Sequence, residues 1–272
     1  ASANLTRSGW WENVEVAHIE SVEERESTRL RDDLLSLFDR VERLAQSPRA
    51  GALLKPYRAF VRKLEQQARK SEAGRLRTHF YVGGAGGASE DIPAFLAGMI
   101  PRDDGYCLDG ISPYFDEHPA KSPLLALMKR LKPAETRVFL PRASDGTAQC
   151  SEEMFDRVRE EGAEWGVLPD DLLSLGKGAA SGERGVHAKV YRIFKRQPKR
   201  EYLFVGSANL TAPAHSGAGG NLETGFLIEI EPPRRPEFWL KPMGRKPPQF
   251  EHQSPEGTDD DAVDVPLQLR FS

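Results

Sequence analysis

The spacing of apolar residues changes character along the chain. Val14-Glu15-Val16-Ala17-His18-Ile19 alternates apolar and polar positions and reads as a strand closing residues 1–20. Residues 22–47 then place Leu30, Leu34, Leu37, Phe38, Val41 and Leu44 at helical spacing, with a break at Pro48 and Gly51. A second helical stripe carries Leu53, Leu54, Tyr57, Phe60, Val61, Leu64 and Ala68. The pattern predicts a helical hairpin across 21–75, a connector that buries its stripe against a core. From residue 76 short apolar runs alternate with helical patterns. Strands are predicted at 79–82, 107–112, 137–140, 165–168, 186–194, 201–206 and 223–230, with helices at 92–100, 123–131 and 152–160. Such alternation predicts an α/β layer architecture.

Composition narrows the class. The chain has 272 residues, 39% apolar and 29% charged, with a formal net charge of −3. These values exclude a disordered segment, a collagen-like fibre and a disulfide-rich miniprotein. No run approaches the roughly 18 uninterrupted apolar residues of a membrane helix. Cys107 and Cys150 give neither a disulfide framework nor metal-ligand spacing, so a reducing, cytoplasmic setting is the default. Eight of the 20 prolines fall between Pro232 and Pro266, and Asp259-Asp260-Asp261 adds an acidic run. Residues 232–272 are therefore expected to form a linker or a lightly packed, surface-hugging tail leading to a further domain.

The chemistry lies in an internal repeat. Ser-Ala-Asn-Leu-Thr occurs at Ser2–Thr6 and again at Ser207–Thr211, followed by Asn-x-Glu at Asn13–Glu15 and Asn221–Glu223. Two related half-units account for a matched block with the same downstream partner. The second copy is preceded by His187-Ala188-Lys189, whose polar side chains share one face of a strand. The block thus supplies an imidazole, an ammonium, an amide with a hydroxyl, and a carboxylate. An imidazole can attack phosphorus or protonate a leaving oxygen. Lys189 and Asn209 can hold non-bridging oxygens as charge builds on them. A carboxylate can fix a histidine tautomer and stabilise its cation. Such an inventory suits phosphodiester chemistry and requires no metal or other cofactor. Singly, each residue has a plainer explanation: His187 and Lys189 as a solvated strand face, Ser207 and Asn209 as turn or cap residues.

Taken together, His187-x-Lys189, Gly206-Ser207-x-Asn209 and Glu223 resemble the signature of the phospholipase D superfamily. The resemblance covers the N-terminal 20 residues and residues 76–231. It implies a mixed sheet flanked by helices, with one active site between two half-units in a single chain or a homodimer. It also implies a phosphohistidine intermediate, with a second histidine acting as general acid and then base. By that resemblance His187 is the acid/base, or the nucleophile where no second histidine is present. Lys189 and Asn209 grip phosphoryl oxygens, Ser207 supports them and Glu223 orients a histidine, with Ser2, Asn4 and Glu15 serving the first half.

Two departures shape the expectation. Lipid-acting members usually carry an aspartate five residues after the lysine, whereas Phe194 stands there; the loss of that aspartate resembles the tyrosyl-DNA phosphodiesterases and the metal-independent restriction nucleases. The first half begins at Ala1, which stands where the second copy has Gly206, so its His-x-Lys is not in the sequence. A longer parent polypeptide is expected. The leading function is metal-independent cleavage of nucleic-acid phosphodiesters, with DNA favoured over RNA. A phospholipid headgroup hydrolase and a non-catalytic nucleic-acid-binding module are the alternatives. Arg192 and its basic neighbours Lys195, Arg196, Lys199 and Arg200 fit a phosphate-tracking edge or a solvated hairpin tip. Trp10 and Trp11 fit base stacking or core, Ile111–Asp116 a cleft lining, and Gly83–Gly87 a flexible turn.

Overall fold

The computed structural model describes residues 13–66, 76–84, 90–174, 184–217 and 219–253. After two short strands, β1 (Asn13–Val14) and β2 (Ser27–Thr28), the predicted hairpin forms as α1 (Arg31–Ala45) and α2 (Pro48–Arg62). The turn falls at Gln46, in the left-handed region, and Ser47, whose side chain accepts from the Arg49 N–H. Pro48 thus opens α2, and Gly51 lies inside it. The strand expected from Val14 to Ile19 is shorter than its alternation implies, since only Asn13–Val14 pairs. Strand β3 (Glu65–Gln66) pairs with β2 and closes the base of the hairpin.

The hairpin stripe does not bury as expected. Val61 and Leu64 are buried, but Leu53, Tyr57 and Phe60 are 49%, 59% and 40% exposed. The two helices pack chiefly on each other, and α1 touches the sheet through Arg40, whose guanidinium donates to the Val82 carbonyl.

The remaining strands are β4 (Leu76–Gly83), β5 (Tyr106–Ile111), β6 (Glu135–Phe139), β7 (Glu164–Val167), β8 (Gly185–Val186), β9 (Val190–Lys195), β10 (Arg200–Gly206), β11 (Glu223–Ile230) and β12 (Lys241–Pro242). Between them lie α3 (Ile92–Met99), α4 (Pro123–Leu131), α5 (Glu152–Glu160), α6 (Asp170–Leu173) and α7 (Ala212–His215). Eight strands make one mixed sheet in the order β12-β7-β6-β5-β9-β10-β11-β4. Strands β5, β6 and β7 are parallel, and β9, β10, β11 and β4 run antiparallel to their neighbours. The fold is the expected mixed α/β sheet flanked by helices.

Alternation along the strands splits the core between the two faces. Leu108, Val138, Tyr191, Ile193 and Phe204 join the larger cluster, whereas Ile111, Phe139 and Val190 join a smaller one with Leu168 and Leu240. Strand β5 is buried along its whole length, as a parallel strand covered on both faces requires.

The Pro-rich segment lies against the sheet over 236–250, the surface-hugging form of the expected tail. Strand β12 extends the sheet beside β7, Leu240 is buried, Phe238 meets Phe194 edge-on, and Phe250 packs on Phe155. Arg192 is turned into the protein rather than towards substrate. Its Nε donates to Glu201 (2.6 Å), and its Nη1 donates to Asp109 (2.8 Å) and the Glu237 carbonyl (2.7 Å). Asp109 is wholly buried and also accepts from the Trp239 N–H. Burial pushes the Asp109 carboxyl up, against the opposing pull of those hydrogen bonds and the Arg192 guanidinium. Arg192→Ala leaves that carboxylate without its cation, so the expected loss is about 3–5 kcal/mol in urea unfolding. A loss below about 1 kcal/mol would show that the network does not hold the 236–240 segment down.

Lys195, Arg196 and Arg200 lie at the far end of the β9–β10 hairpin, bonded to Asp103, Glu135 and Glu231. They form a solvated tip rather than an edge beside the motif residues.

Candidate active site

The strand directions gather the motif residues at one end of the sheet. Strands β5, β6, β7, β10 and β4 end there, and β9 and β11 begin there. His187-Ala188-Lys189 leads into β9, Gly206-Ser207-Ala208-Asn209 leaves β10, and Glu223 opens β11. Gly206 is dictated by crowding: a Cβ there would meet the Thr224 carbonyl oxygen at 2.5 Å.

The first repeat block reaches the second through a two-residue parallel ladder. Asn13 and Val14 of β1 pair with Gly185 and Val186 of β8, and the Val14 carbonyl accepts from the His187 and Ala188 N–H groups. That register sets Glu15 beside His187, where the imidazole Nδ1–H donates to Oε1 at 2.7 Å. On the other side of the ring, Lys189 Nζ donates to Nε2 (2.8 Å) and to the His187 carbonyl (2.7 Å). The two partners define a neutral imidazole with its proton on Nδ1 and its lone pair on Nε2.

Electrostatics follow from burial. Burial and the neighbouring Lys189 ammonium push the His187 pKa below its ordinary 6.5, while Glu15 pulls it back up. Lys189 is 3% exposed, and burial lowers its pKa to about 8 against the opposing pull of Glu15 and Glu223. Glu223 is also buried, which raises its pKa, and it accepts a hydrogen bond from the Ser207 hydroxyl. No histidine meets Glu223 among the described residues.

Asn209 is held by its neighbours. Tyr191 donates its hydroxyl to the Ala208 carbonyl (2.6 Å), and the Leu210 N–H donates to Ser112 Oγ (3.0 Å). The Asp116 carboxylate accepts from the Ala212 N–H at 2.9 Å. The Asn209 Oδ1 is shielded from solvent and meets no donor among the described residues. Ser112, Asp116 and Tyr191 are thus positioning residues. The stretch 111–116 was legible as a strand end near the cleft, whereas Tyr191 carried a signal only as the residue two beyond Lys189 on the same face. His215 does not line the site: it is buried, its Nε2 is 2.9 Å from the Tyr191 hydroxyl, and burial drives its pKa down to about 3.

The structure therefore brings together Glu15, His187, Lys189, Ser207, Asn209 and Glu223. Ser2, Asn4, Trp10 and Trp11 lie outside the described residues. Of the glycine run, Gly83 ends β4 and Gly84 turns with φ +75°, where a Cβ would strike the Asn221 carbonyl at 1.5 Å. The other two glycines, Gly86 and Gly87, lie outside the described residues. Among the described residues, no three His, Cys, Asp or Glu side chains gather as a metal site, and no helix is long and apolar enough to cross a membrane.

The mixed sheet and the motif residues at one of its ends define an α/β unit. Among solved structures the chain is similar to yeast tyrosyl-DNA phosphodiesterase, at 8% identity and a TM-score of 0.46 over 81% of this chain and 59% of that one. A histidine-to-alanine variant of the same yeast protein gives 10% identity and a TM-score of 0.49 over 75% of this chain and 56% of that one. Phosphatidylserine synthase of Haemophilus influenzae gives 17% and 0.35 over 70% and 44%. The chain thus spans less than two thirds of each of these proteins. No protein-family model and no curated protein sequence matches it. Relatives this distant do not assign residue roles, which rest on the geometry above.

Proposed function

We propose that the chain carries half of a metal-independent, histidine-based phosphodiesterase site that acts on nucleic acid. The observation that carries the proposal is the Glu15–His187–Lys189 constellation. It holds a neutral imidazole with Nε2 facing a buried ammonium, at the sheet end where Asn209 leaves β10. A phosphodiester entering there takes the Lys189 ammonium and the Asn209 amide onto its non-bridging oxygens, which releases Nε2 for chemistry. Nε2 then takes the proton of an attacking hydroxyl, Glu15 stabilises the imidazolium that forms, and that imidazolium gives the proton on to the leaving oxygen. In the nucleophilic role, Nε2 forms the N–P bond as the P–O bond to the leaving alcohol breaks, and water later displaces the phosphoryl group.

Glu223 occupies the position in the second block that Glu15 occupies in the first. By that correspondence it orients a second histidine, brought either by chain beyond the described residues or by a second copy. A buried carboxyl with a raised pKa, bonded to Ser207, is the group such an imidazole would meet.

The substrate class is tested by offering an end-labelled single-stranded oligonucleotide and phosphatidylcholine vesicles in parallel. Cleavage of the oligonucleotide with intact lipid is expected; lipid hydrolysis alone would move the chain to headgroup chemistry. Binding of the oligonucleotide without turnover would mark a non-catalytic module. Asn209→Ala removes one donor to the developing charge and is expected to lower kcat by about 10²–10³ with little change in KM. Near wild-type kcat would remove Asn209 from the oxygen-holding set.

A further inference from the structure

Beside His187 lies a cavity of about 450 Å³ whose wall includes Tyr114, Arg142, Leu168, Asp170 and Arg184. Its position follows from the topology. Tyr114 follows β5, Arg142 follows β6, and Leu168 and Asp170 follow β7, so the cavity opens at the carboxyl ends of the three parallel strands. Crevices at that edge are where open α/β sheets bind ligands. Its volume falls in the range of about 300–1,000 Å³ typical of small-molecule sites.

The charges around it are unusual for this protein. At the far end of the sheet Lys195, Arg196 and Arg200 each face a carboxylate. Arg192 faces two. Arg184 forms no ion pair with a described carboxylate, and its Nε is buried without a hydrogen-bond partner. Among the described residues Arg142 reaches only the Met243 sulfur, a weak acceptor. A half-buried guanidinium with an unsatisfied N–H is costly unless an anion completes it. The planar fork of arginine matches a phosphate bidentately. Tyr114 adds an aromatic ring on the same wall and Leu168 an apolar surface, while Asp170 supplies an acceptor for an exocyclic amine.

We propose that this cavity is a subsite for one nucleotide flanking the scissile phosphate. Arg184 holds the adjacent phosphate, and the base stacks on Tyr114. The proposal rests on the nucleic-acid reading above and deepens it. A cleft whose two arginines pair with no described carboxylate and whose wall carries an aromatic ring fits a nucleotide better than a diacyl lipid, which needs a long apolar trough.

The test is fluorescence anisotropy of a labelled single-stranded hexanucleotide with the full chain, between about 50 and about 200 mM KCl. Arg184→Ala is expected to raise Kd about tenfold and to reduce the slope of log K against log salt by about 0.7, the share of one single-strand phosphate. Tyr114→Leu, which keeps an apolar side chain, is expected to raise Kd about tenfold through lost stacking without changing the slope. Arg200→Ala, at the far end of the sheet, is expected to bind like wild type. A mononucleotide should displace the probe at concentrations where inorganic phosphate, at matched ionic strength, does not.

Wild-type affinity in both Arg184→Ala and Tyr114→Leu overturns the subsite while leaving the nuclease proposal to its own cleavage test. Displacement by inorganic phosphate as effective as by mononucleotide reduces the cavity to a simple anion site and also overturns it. If wild type binds no oligonucleotide and cuts none, both proposals fall. Should Arg184→Ala fail to fold, Tyr114→Leu and the displacement experiment decide alone.

Discussion

Replacing His187 by alanine is expected to lower phosphodiester turnover by on the order of 10⁵-fold while oligonucleotide affinity stays within a few-fold of wild type. The size follows from what the residue does: a histidine that transfers the proton or attacks the phosphorus has no substitute within reach, and losses of that order accompany removal of such a group. Among the described residues His187 makes its side-chain bonds to Glu15 and Lys189, both in the same constellation. Its removal should therefore leave the fold intact, as shown by an unchanged thermal midpoint. A variant that keeps more than about a tenth of wild-type turnover would show that another group does the chemistry.

Glu15→Gln is expected to have the second largest effect, a fall in kcat of about 10³–10⁴. The glutamine preserves size but presents an amide in place of a carboxylate. It neither fixes the Nδ1–H tautomer securely nor stabilises the imidazolium that forms as Nε2 takes a proton. The wild-type pH profile carries the signature of the same constellation. His187 must be neutral to accept a proton, and its lowered pKa makes that form available below pH 6.5. Lys189 must be charged to hold phosphoryl oxygens, and its pKa of about 8 means that rising pH removes the charge through that value. Activity should thus climb below pH 6.5, level off, and fall above about pH 8. In Glu15→Gln the loss of the carboxylate removes the influence that raises the His187 pKa, so the rising limb should move to lower pH. An unmoved rising limb together with a small loss in kcat would separate Glu15 from His187 in function.

The candidate site was legible because its residues sit at strand termini, where a short repeated block fixes both residue types and spacing. Ser207, Asn209 and Glu223 come together simply because β10 ends where β11 begins. The contact between Glu15 and His187 depends on a two-residue parallel ladder between segments 172 residues apart, too short for any periodicity to announce. Arg192 was misread for the same kind of reason. In a basic run it looks like its exposed neighbours, and only the fold brings Asp109, 83 residues away, to meet it. The prolines after Pro232 implied a linker or a surface-hugging tail, and which of the two forms is decided by Phe238, Leu240 and Phe250, which dock between them on a core already formed by the strands. The hairpin stripe erred in the opposite direction: helical periodicity predicts a face, but not what covers it, and Leu53, Tyr57 and Phe60 remain largely exposed.

The central claim is that histidine, not a metal ion, carries out phosphodiester cleavage at this site. Its most direct test follows cleavage of end-labelled single- and double-stranded oligonucleotides in excess EDTA by the protein and by His187→Ala side by side. The account predicts cleavage undiminished by EDTA in the wild type and absent in the variant. Cleavage abolished by EDTA, or equal in the two proteins, would contradict it.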